Sequence, residues 1–403
     1  MKYTKQEVLQ FVEEEDVKFI RLAFCDVFGK QKNKSIMPRD LERAFSHGIA
    51  IDSSAITGFG GEVCSDLFLH PDPDTLAILP WRPEHGKVVR MFCTITTPDG
   101  KVFENDTRSI LIHAIEEAKE SGYNFYFGTE MEFYLFKLDE EGEPTKIPYD
   151  KAGYMDVAPD DKCENVRREI CLTLEQMGIY PEGSHHEEGP GQNEIDFQYS
   201  DALSAADNAM TFSTVVKAIA ARNGLAADFS PKPLEGKPGN GLHINMSVKD
   251  NDGRLHSSSI IAGVLQIAED ISVFTNPSEE SYKRLGSFKA PSYITWSREN
   301  RSQLIRIPAA FGEYIRAELR SPDPTANPYL AFALLIYAGL YGLENTCELP
   351  PEANFNLYTA SPEITKNYAK LPMSLSEARD KAYNSAFIKE HLPKSLIQVY
   401  CDK

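Results

Sequence analysis

Polar and apolar residues alternate in four stretches of the chain with the two-residue period of a β-strand. The first stretch covers residues 125–136, where Glu130 and Glu132 lie two positions apart, so both carboxylates leave the same face of the predicted strand. Phe133 and Leu135 occupy the opposite face. The pattern therefore predicts a strand with an apolar face for the core and an acidic face.

The second stretch, residues 185–197, holds two imidazoles and four carboxylates. Its central Gly-Pro-Gly sequence predicts a sharp turn, and the alternation that follows predicts a strand. Such a hairpin brings Glu187 back towards Glu194. Carboxylates that lie close together are ionised at the same time only when a cation sits between them, and oxygen ligands favour Mg²⁺ or Mn²⁺. A solvated acidic loop is the alternative interpretation.

The third and fourth stretches add an imidazole and several arginines. His243, Asn245 and Ser247 share one face of a strand that follows a glycine turn, although a single histidine on a strand is more often structural than a ligand. Further on, Glu318 shares a strand face with two arginines. The arginines of this region are Arg301, Arg306, Arg316 and Arg320. A site for phosphate and carboxylate groups requires such residues.

Nucleotide-binding glycine motifs are absent from the sequence. The chain has neither a P-loop nor a Gly-x-Gly-x-x-Gly turn, so ATP chemistry would have to run through metal ions and arginines. Because all four strands carry metal-type ligands on one face and arginines recur beside them, the combination favours a metal-dependent phosphoryl-transfer site.

Composition narrows the classes of partner. The 403 residues are 42% hydrophobic and 25% charged, which is ordinary for a globular protein. The formal net charge is −18 and no basic tract offsets it, which argues against nucleic acid or an anionic membrane as a partner. Seven scattered cysteines, Cys64 among them, contain no Cys-x-x-Cys pair and predict reduced thiols in a cytoplasmic protein.

The order of predicted elements indicates two domains, residues 1–100 and residues 101–403. A loop of small residues in the first domain holds one acid, Asp52, which is either functional or part of a simple connection. Residues 138–165 are acidic and contain proline and glycine, which predicts a surface excursion. The apolar run 329–343 predicts a buried core helix, because it is too short and too aromatic for a membrane span.

Five segments together resemble glutamine synthetase of the bacterial dodecameric class, and the resemblance covers nearly the entire chain. The segments are residues 128–133, 185–197, 231–243, 300–308 and 318–324. The resemblance implies an α+β fold, with a small N-terminal β-grasp domain and a C-terminal catalytic domain in which helices surround a curved antiparallel β-barrel. It implies an ATP-dependent ligase that joins glutamate and ammonia through γ-glutamyl phosphate.

The resemblance also implies a ligand set for two or more Mg²⁺ or Mn²⁺ ions at each site. One ion would be held by Glu132, Glu187 and Glu194. The other would be held by Glu130, His243 and Glu318. The residues expected to bind ATP are Ser247, Arg301, Arg306 and Arg316.

The glutamate site and the catalytic positions follow from the same resemblance. The residues expected to bind glutamate are Gly239, Arg284 and Arg320. The expected catalytic positions are Asp52, Lys289 and Arg301. Because the family's rings share each site between neighbouring subunits, we expect a homo-oligomer, a dodecamer, in which Asp52 serves the adjacent subunit.

The amine half of the site departs from the family's pattern. Lys289 stands where the family has a flap glutamate, Ala55 replaces a serine, and Pro238 replaces an asparagine of the substrate turn. Glu313 stands in place of a nucleotide-side lysine. Because a lysine repels ammonium, these changes predict weak use of ammonia. Two alternatives to glutamine synthetase stay open: a γ-glutamyl–amine ligase that uses an organic amine, and a weakly active regulatory homologue.

Overall fold

The computed structural model of the chain describes residues 3–61, 63, 65–82, 86–310, 312 and 315–402. Cys64 and Glu313, both named from the sequence, lie outside the described residues. Over the described residues a small N-terminal sheet is followed by a larger, curved sheet that helices cover on one side.

The N-terminal sheet is mixed. Its strands are β1 (Phe19–Cys25), β2 (Gln31–Ile36), β3 (Ile49–Asp52), β4 (Asp66–Pro71), β5 (Ala77–Ile78) and β6 (Val88–Thr96). The helices beside it are α1 (Lys5–Glu14) and α2 (Leu41–His47). The strand order is β2-β1-β6-β4-β3, with β5 beside β6. Because the central strands β1 and β6 run parallel and their neighbours run antiparallel, the unit has a β-grasp arrangement.

The C-terminal sheet supplies the framework of the site. Its strands are β7 (Tyr123–Leu138), β8 (Pro144–Pro148), β9 (Pro181–His186), β10 (Gln192–Phe197), β11 (Ser200–Asp201), β12 (Leu225–Asp228), β13 (Leu242–Asp250), β14 (Trp296–Arg298), β15 (Ile305–Ile307) and β16 (Ala317–Leu319). The main path is β14-β15-β16-β13-β7-β10-β9. Its pairs are antiparallel except β14 with β15, and the sheet curls into a half-barrel.

The part of the chain that forms this sheet also contains helices. They are α3 (Thr107–Glu120), α4 (Glu164–Gln176), α5 (Ala202–Arg222), α6 (Ser258–Ile267), α7 (Ser272–Thr275), α8 (Glu279–Arg284), α9 (Pro328–Glu344), α10 (Pro362–Thr365), α11 (Leu375–Asn384), α12 (Ala386–His391) and α13 (Lys394–Cys401). Helix α9 is buried along most of its length, which confirms the predicted core helix. Among the described residues, no helix is long and apolar enough to cross a membrane.

Alternation along β7 decides which side of the sheet carries the core. Phe127 and Phe133 are fully buried, and the Phe127 ring stacks on Phe332 of α9 with centroids 4.4 Å apart. Glu130 and Glu132, on the other face of β7, line a cleft. The predicted α+β fold, with its β-grasp unit and its curved sheet under helices, is confirmed.

The prediction that residues 138–165 form a surface excursion is wrong for three polar residues of that segment. Asp150, Asp161 and Cys163 are buried, with exposed fractions of 5%, 2% and 0%. Polar composition predicts exposure only where the polar groups lack partners, and here each side chain makes hydrogen bonds inside the protein.

Candidate active site

A cleft of about 590 Å³ lies on the acidic face of the curved sheet. It collects most of the residues predicted from the sequence. Those that line it are Glu130, Glu132, Glu187, Glu194, Gly239, His243, Arg284, Lys289, Arg301, Arg306, Arg316 and Arg320. Three predicted residues, Asp52, Ser247 and Glu318, are not part of the lining.

The hairpin of β9 and β10 brings its acidic residues together as the sequence predicts. Glu194 lies directly opposite His185 in the register of the two strands. The His185 Nε2 atom lies 3.0 Å from Glu187 Oε1 and 3.7 Å from Glu194 Oε1. The turn is tight, since a Cβ on Gly189 would lie 2.0 Å from the Tyr134 hydroxyl oxygen. The solvated-loop alternative is therefore wrong, because Glu194 is buried.

The register of β7, between β10 and β13, adds the remaining acids. Glu132 lies opposite Glu194 on one side, and Glu130 lies opposite His243 on the other. The His243 Nδ1 atom lies 3.3 Å from Glu130 Oε2, and the Asn245 side chain donates a 2.9 Å hydrogen bond to Glu130 Oε1. Cross-strand pairing thus places the acids of β7 and β10 beside the imidazole of β13.

Two groups of side chains in the cleft have ligand atoms within 4.8 Å of one another. One group is Glu130, Glu194 and His243. The other is His185, Glu187 and Glu194. Glu194 belongs to both groups and therefore stands at the centre of the acidic site. His185 was not predicted as a ligand, although its two-residue spacing from Glu187 was a usable signal.

Burial and mutual repulsion raise the pKa of some of the acids in this site, whereas hydrogen bonds with His243 and His185 outweigh burial and lower the pKa of Glu130 and Glu187. Burial raises the pKa of Glu194 well above its ordinary value, and the neighbouring carboxylates, with Glu132 first, add to the rise. Burial together with Glu130 raises the pKa of Asp196 to about 7. Buried carboxylates next to imidazoles form a donor set that fits a hard divalent cation, which would offset this repulsion.

Glu318 lies beneath the floor of the cleft. Its side chain is fully buried and forms ion pairs with Arg306 and, at 3.1 Å, with Arg320. One Glu318 oxygen also lies 3.8 Å from His243 Nδ1, which connects it to the first ligand group. Glu318, predicted as a metal ligand, therefore lies next to the acidic site by way of His243. Its carboxylate also holds two arginines in place.

Arginines form the wall of the cleft that faces the acidic residues. Arg316 donates a 2.9 Å hydrogen bond from Nε to the side-chain oxygen of Asn245, whose amide group donates to Glu130. Buried Arg284 donates to the backbone oxygen of Ser321 at 2.7 Å. The cleft thus places a cationic wall against an acidic floor, an arrangement that suits a phosphorylated, carboxylate-bearing substrate.

Residues 287–290 of the segment 286–291, which we call the flap, line the cleft. Lys289 forms an ion pair with Glu188 in the hairpin turn. The Tyr358 hydroxyl lies 2.5 Å from the Lys289 backbone oxygen and 2.9 Å from that of Arg301, so it joins the flap to the rim. Glu188 was not singled out from the sequence, because its partner is 101 residues away.

Asp52 and Ser247 lie apart from the cleft of their own chain. Asp52 is an exposed residue of the N-terminal unit, and its carboxylate accepts hydrogen bonds from the Ser54 hydroxyl at 2.6 Å and the Ser54 backbone at 2.9 Å. These bonds lower the pKa of Asp52. Ser247 lies opposite Tyr126 in the register of β13 and β7.

Family models match almost the entire chain. The model for the glutamine synthetase β-grasp domain matches residues 16–98, and the model for the glutamine synthetase catalytic domain matches residues 104–403. The chain belongs to the glutamine synthetase family. Members of this family use ATP, glutamate and ammonia and generally depend on divalent metal ions, so the chain is an ATP-dependent glutamate–ammonia ligase or a closely related ligase.

Individual relatives agree with this assignment. The glutamine synthetase of Clostridium saccharobutylicum is 47% identical over 392 residues, which cover 94% of this chain and 88% of the relative. That of Methanosarcina mazei is 44% identical, covering 98% and 92%. Among solved structures, a GmaS complex with ADP has a TM-score of 0.89 at 27% identity and covers 97% of this chain and 93% of that chain.

Proposed function

We propose that the cleft transfers the terminal phosphoryl group of ATP to the γ-carboxylate of glutamate, after which ammonia displaces phosphate and leaves glutamine. The observation that supports this placement is the meeting of two ligand groups at Glu194, opposite a wall of arginines. This arrangement lets one cleft bind the nucleotide phosphates and the acid together.

The acids of the cleft would hold two divalent cations, Mg²⁺ or Mn²⁺. One would bind to Glu130, Glu194 and His243, with Glu318 beside them. The other would bind to His185, Glu187 and Glu194, with Glu132 beside them. When bound, the cations supply positive charge that offsets the charge developing on the transferred phosphoryl oxygens.

The arginine wall would bind the charged parts of the substrates. Arg306 pairs with Glu318 and Arg316 donates to Asn245, so both guanidinium groups lie beside the acidic floor and suit the phosphates of ATP. Arg301 at the rim and Ser247 would complete the ATP site. Arg284 and Arg320, with the backbone at Gly239, would bind the glutamate carboxylates. The guanidinium groups would orient the γ-carboxylate towards the phosphoryl group.

The charges at the mouth of the cleft are compatible with ammonia as the amine. The sequence suggests that Lys289 repels ammonium, but Glu188 pairs with this lysine and offsets its charge. The prediction of weak use of ammonia therefore loses the electrostatic argument on which it rested. The oligomer would be a ring, a dodecamer. In it, Asp52 of the neighbouring subunit would accept the proton that the incoming amine releases.

Product analysis tests the proposal. With ATP, glutamate and ammonium, we expect glutamine and phosphate in equal amounts. Glu194→Gln should lower the rate about 100-fold or more, because both proposed cation sites lose a carboxylate ligand and the cations that offset the phosphoryl charge bind less well. Glu143→Gln, the same change at an exposed position, should leave the rate unchanged. Full activity in Glu194→Gln, or phosphate release without glutamine, would contradict the proposal.

A further inference from the structure

A second group of ionisable residues lies beneath the hairpin of β9 and β10, on the side away from the cleft. Its members are Asp150, Asp161, Cys163 and His186, all buried, with ligand-type atoms within 4.8 Å of one another. Hydrogen-bond donors already occupy the carboxylates. The group is therefore a hydrogen-bond network, and what it holds in place is the hairpin above it.

Strand alternation connects this network to the acids of the cleft. His186 lies opposite Asn193 in the hairpin register, and the next residue along each strand is Glu187 or Glu194. Because neighbouring residues of a strand point to opposite faces, His186 and Asn193 face the network while Glu194 faces the cleft. Glu187 and Glu194 thus each follow a buried anchoring residue directly.

Asp150 fastens both sides of the hairpin turn. Its Oδ1 atom lies 2.9 Å from His186 Nε2 and accepts a 2.9 Å hydrogen bond from the backbone N–H of Gly191. Its Oδ2 atom accepts hydrogen bonds from the backbone N–H of Lys162 at 3.0 Å and from the Cys163 thiol at 3.2 Å. One buried carboxylate therefore joins the end of β9, the turn and the start of α4.

The His186 ring passes this anchorage on to Glu187. Its Nδ1 atom lies 2.7 Å from the backbone oxygen of Glu187, while Nε2 faces Asp150. Both ring nitrogens thus face acceptors, as in an imidazolium that donates on both sides. The hydrogen bond at Nδ1 fixes the carbonyl group of Glu187 and, with it, the backbone that carries the Glu187 side chain.

Arg167 of α4 fastens the second strand in the same way. It donates a 2.7 Å hydrogen bond to the Asn193 side-chain oxygen and forms a 2.5 Å ion pair with Asp161. Asp161 also accepts a 2.9 Å hydrogen bond from the backbone N–H of Cys163. Both strands of the hairpin are therefore tied to the segment between β8 and α4.

We propose that Asp150 and His186 are positioning residues, which hold the hairpin so that Glu187 and Glu194 stand at the separation that a shared cation requires. The proposal rests on the proposed role of Glu187 and Glu194 as metal ligands. Acids this close repel one another without a cation, so the hairpin needs an external brace to keep them together. Asp150 and His186 supply that brace from the buried side.

Calorimetric titration of the full-length protein with Mn²⁺ alone tests the proposal. Asp150→Asn and His186→Ala should each raise the Kd for Mn²⁺ about 10- to 100-fold, the usual effect of residues that orient metal ligands. His186→Gln should recover part of the affinity, because its amide can donate to Asp150. Asp160→Asn, the same change at an exposed position of this segment, should leave the Kd unchanged. In turnover assays, saturating Mn²⁺ should bring kcat of Asp150→Asn close to the native value.

Glu194→Gln in the same titrations distinguishes a failure of the proposed metal site from a failure of the positioning role. If Glu194→Gln binds Mn²⁺ like the native protein, the proposed metal site itself fails. If Glu194→Gln weakens binding while folded Asp150→Asn and His186→Ala bind normally, the positioning role alone is overturned. If circular dichroism shows that both variants are unfolded, the network serves stability and the positioning role is again overturned.

Discussion

Lys289 and Glu188 form an ion pair across the mouth of the cleft, between the flap and the hairpin turn that carries the acidic ligands. The pair places opposite charges where ammonium would enter and ties the flap to the hairpin. The pair also removes the reason to expect weak use of ammonia. An unpaired lysine repels ammonium, whereas a lysine whose charge is neutralised by a carboxylate does not.

Removing the carboxylate of this pair should weaken the use of ammonium. In Glu188→Gln the Lys289 charge is left unpaired, and repulsion of about 1 kcal/mol in a watery mouth predicts a KM for ammonium about 5-fold higher. Initial rates at varied ammonium and saturating ATP and glutamate measure this. Glu188→Gln combined with Lys289→Gln should restore the native KM. An unchanged KM in Glu188→Gln would show that the lysine charge does not reach the amine.

The Tyr358 hydroxyl should matter for substrate binding and little for folding. Tyr358→Phe removes the hydrogen bond that joins the flap to the rim, worth about 1 kcal/mol, so KM for glutamate should rise about 5-fold with little change in Tm. Tyr383→Phe, at a position that is 53% exposed, is the matched control. Equal kinetics for both variants would rule out a closing role for Tyr358.

Arg316 should act on ATP. In Arg316→Gln the loss of charge-assisted hydrogen bonds, about 1.5–3 kcal/mol, predicts a 10- to 100-fold fall in kcat/KM for ATP. Arg254→Gln, at a largely exposed arginine, should behave like the native protein. If kcat/KM for ATP is native in Arg316→Gln, the arginine wall is not the phosphate site.

Without metal, the protein should lose stability as pH rises from about 4 to about 7. Burial raises the pKa of Asp196 to about 7 in the folded protein, whereas the unfolded carboxyl titrates near its ordinary value of about 3.9. The folded state therefore binds the extra proton in this interval, and its stabilising effect is present below pH 4 and lost as pH passes 7. Tm measured with a chelator across pH 4–8 should fall less in Asp196→Asn. Parallel curves would contradict the assignment.

If the active site is shared between subunits, as proposed, inactive variants should complement one another. If Asp52 serves the neighbouring subunit, Asp52→Asn and Glu194→Gln subunits that are unfolded, mixed and refolded together should regain part of the activity that neither has alone. The reason is that some interfaces then combine an intact Asp52 with an intact Glu194. Assays of each variant refolded alone are the control, and a mixture without regained activity would contradict the proposed role of Asp52 in the neighbouring subunit's site.

The acidic face could be predicted from the sequence because strand period alone decides it. Glu130 and Glu132 fall on one face of their strand, and Glu194 and Asp196 on one face of theirs, whatever the rest of the fold does. The spacing of His185 from Glu187 hinted at a shared site, but the position of His185 opposite Glu194 could not be predicted, since the hairpin register depends on the turn. Similarly, Asp150 lies in a segment of polar composition, and only its tertiary partners bury it.

Crystals grown with Mn²⁺ would show whether Glu194 joins two cation sites, because anomalous scattering locates the ions without any assay. We expect two anomalous peaks in the cleft, one beside Glu130 and His243 and one beside His185 and Glu187, with Glu194 in contact with both. In Glu194→Gln crystals both peaks should weaken. A cleft without anomalous peaks in native crystals, or peaks that Glu194 does not touch, would rule out the two cation sites.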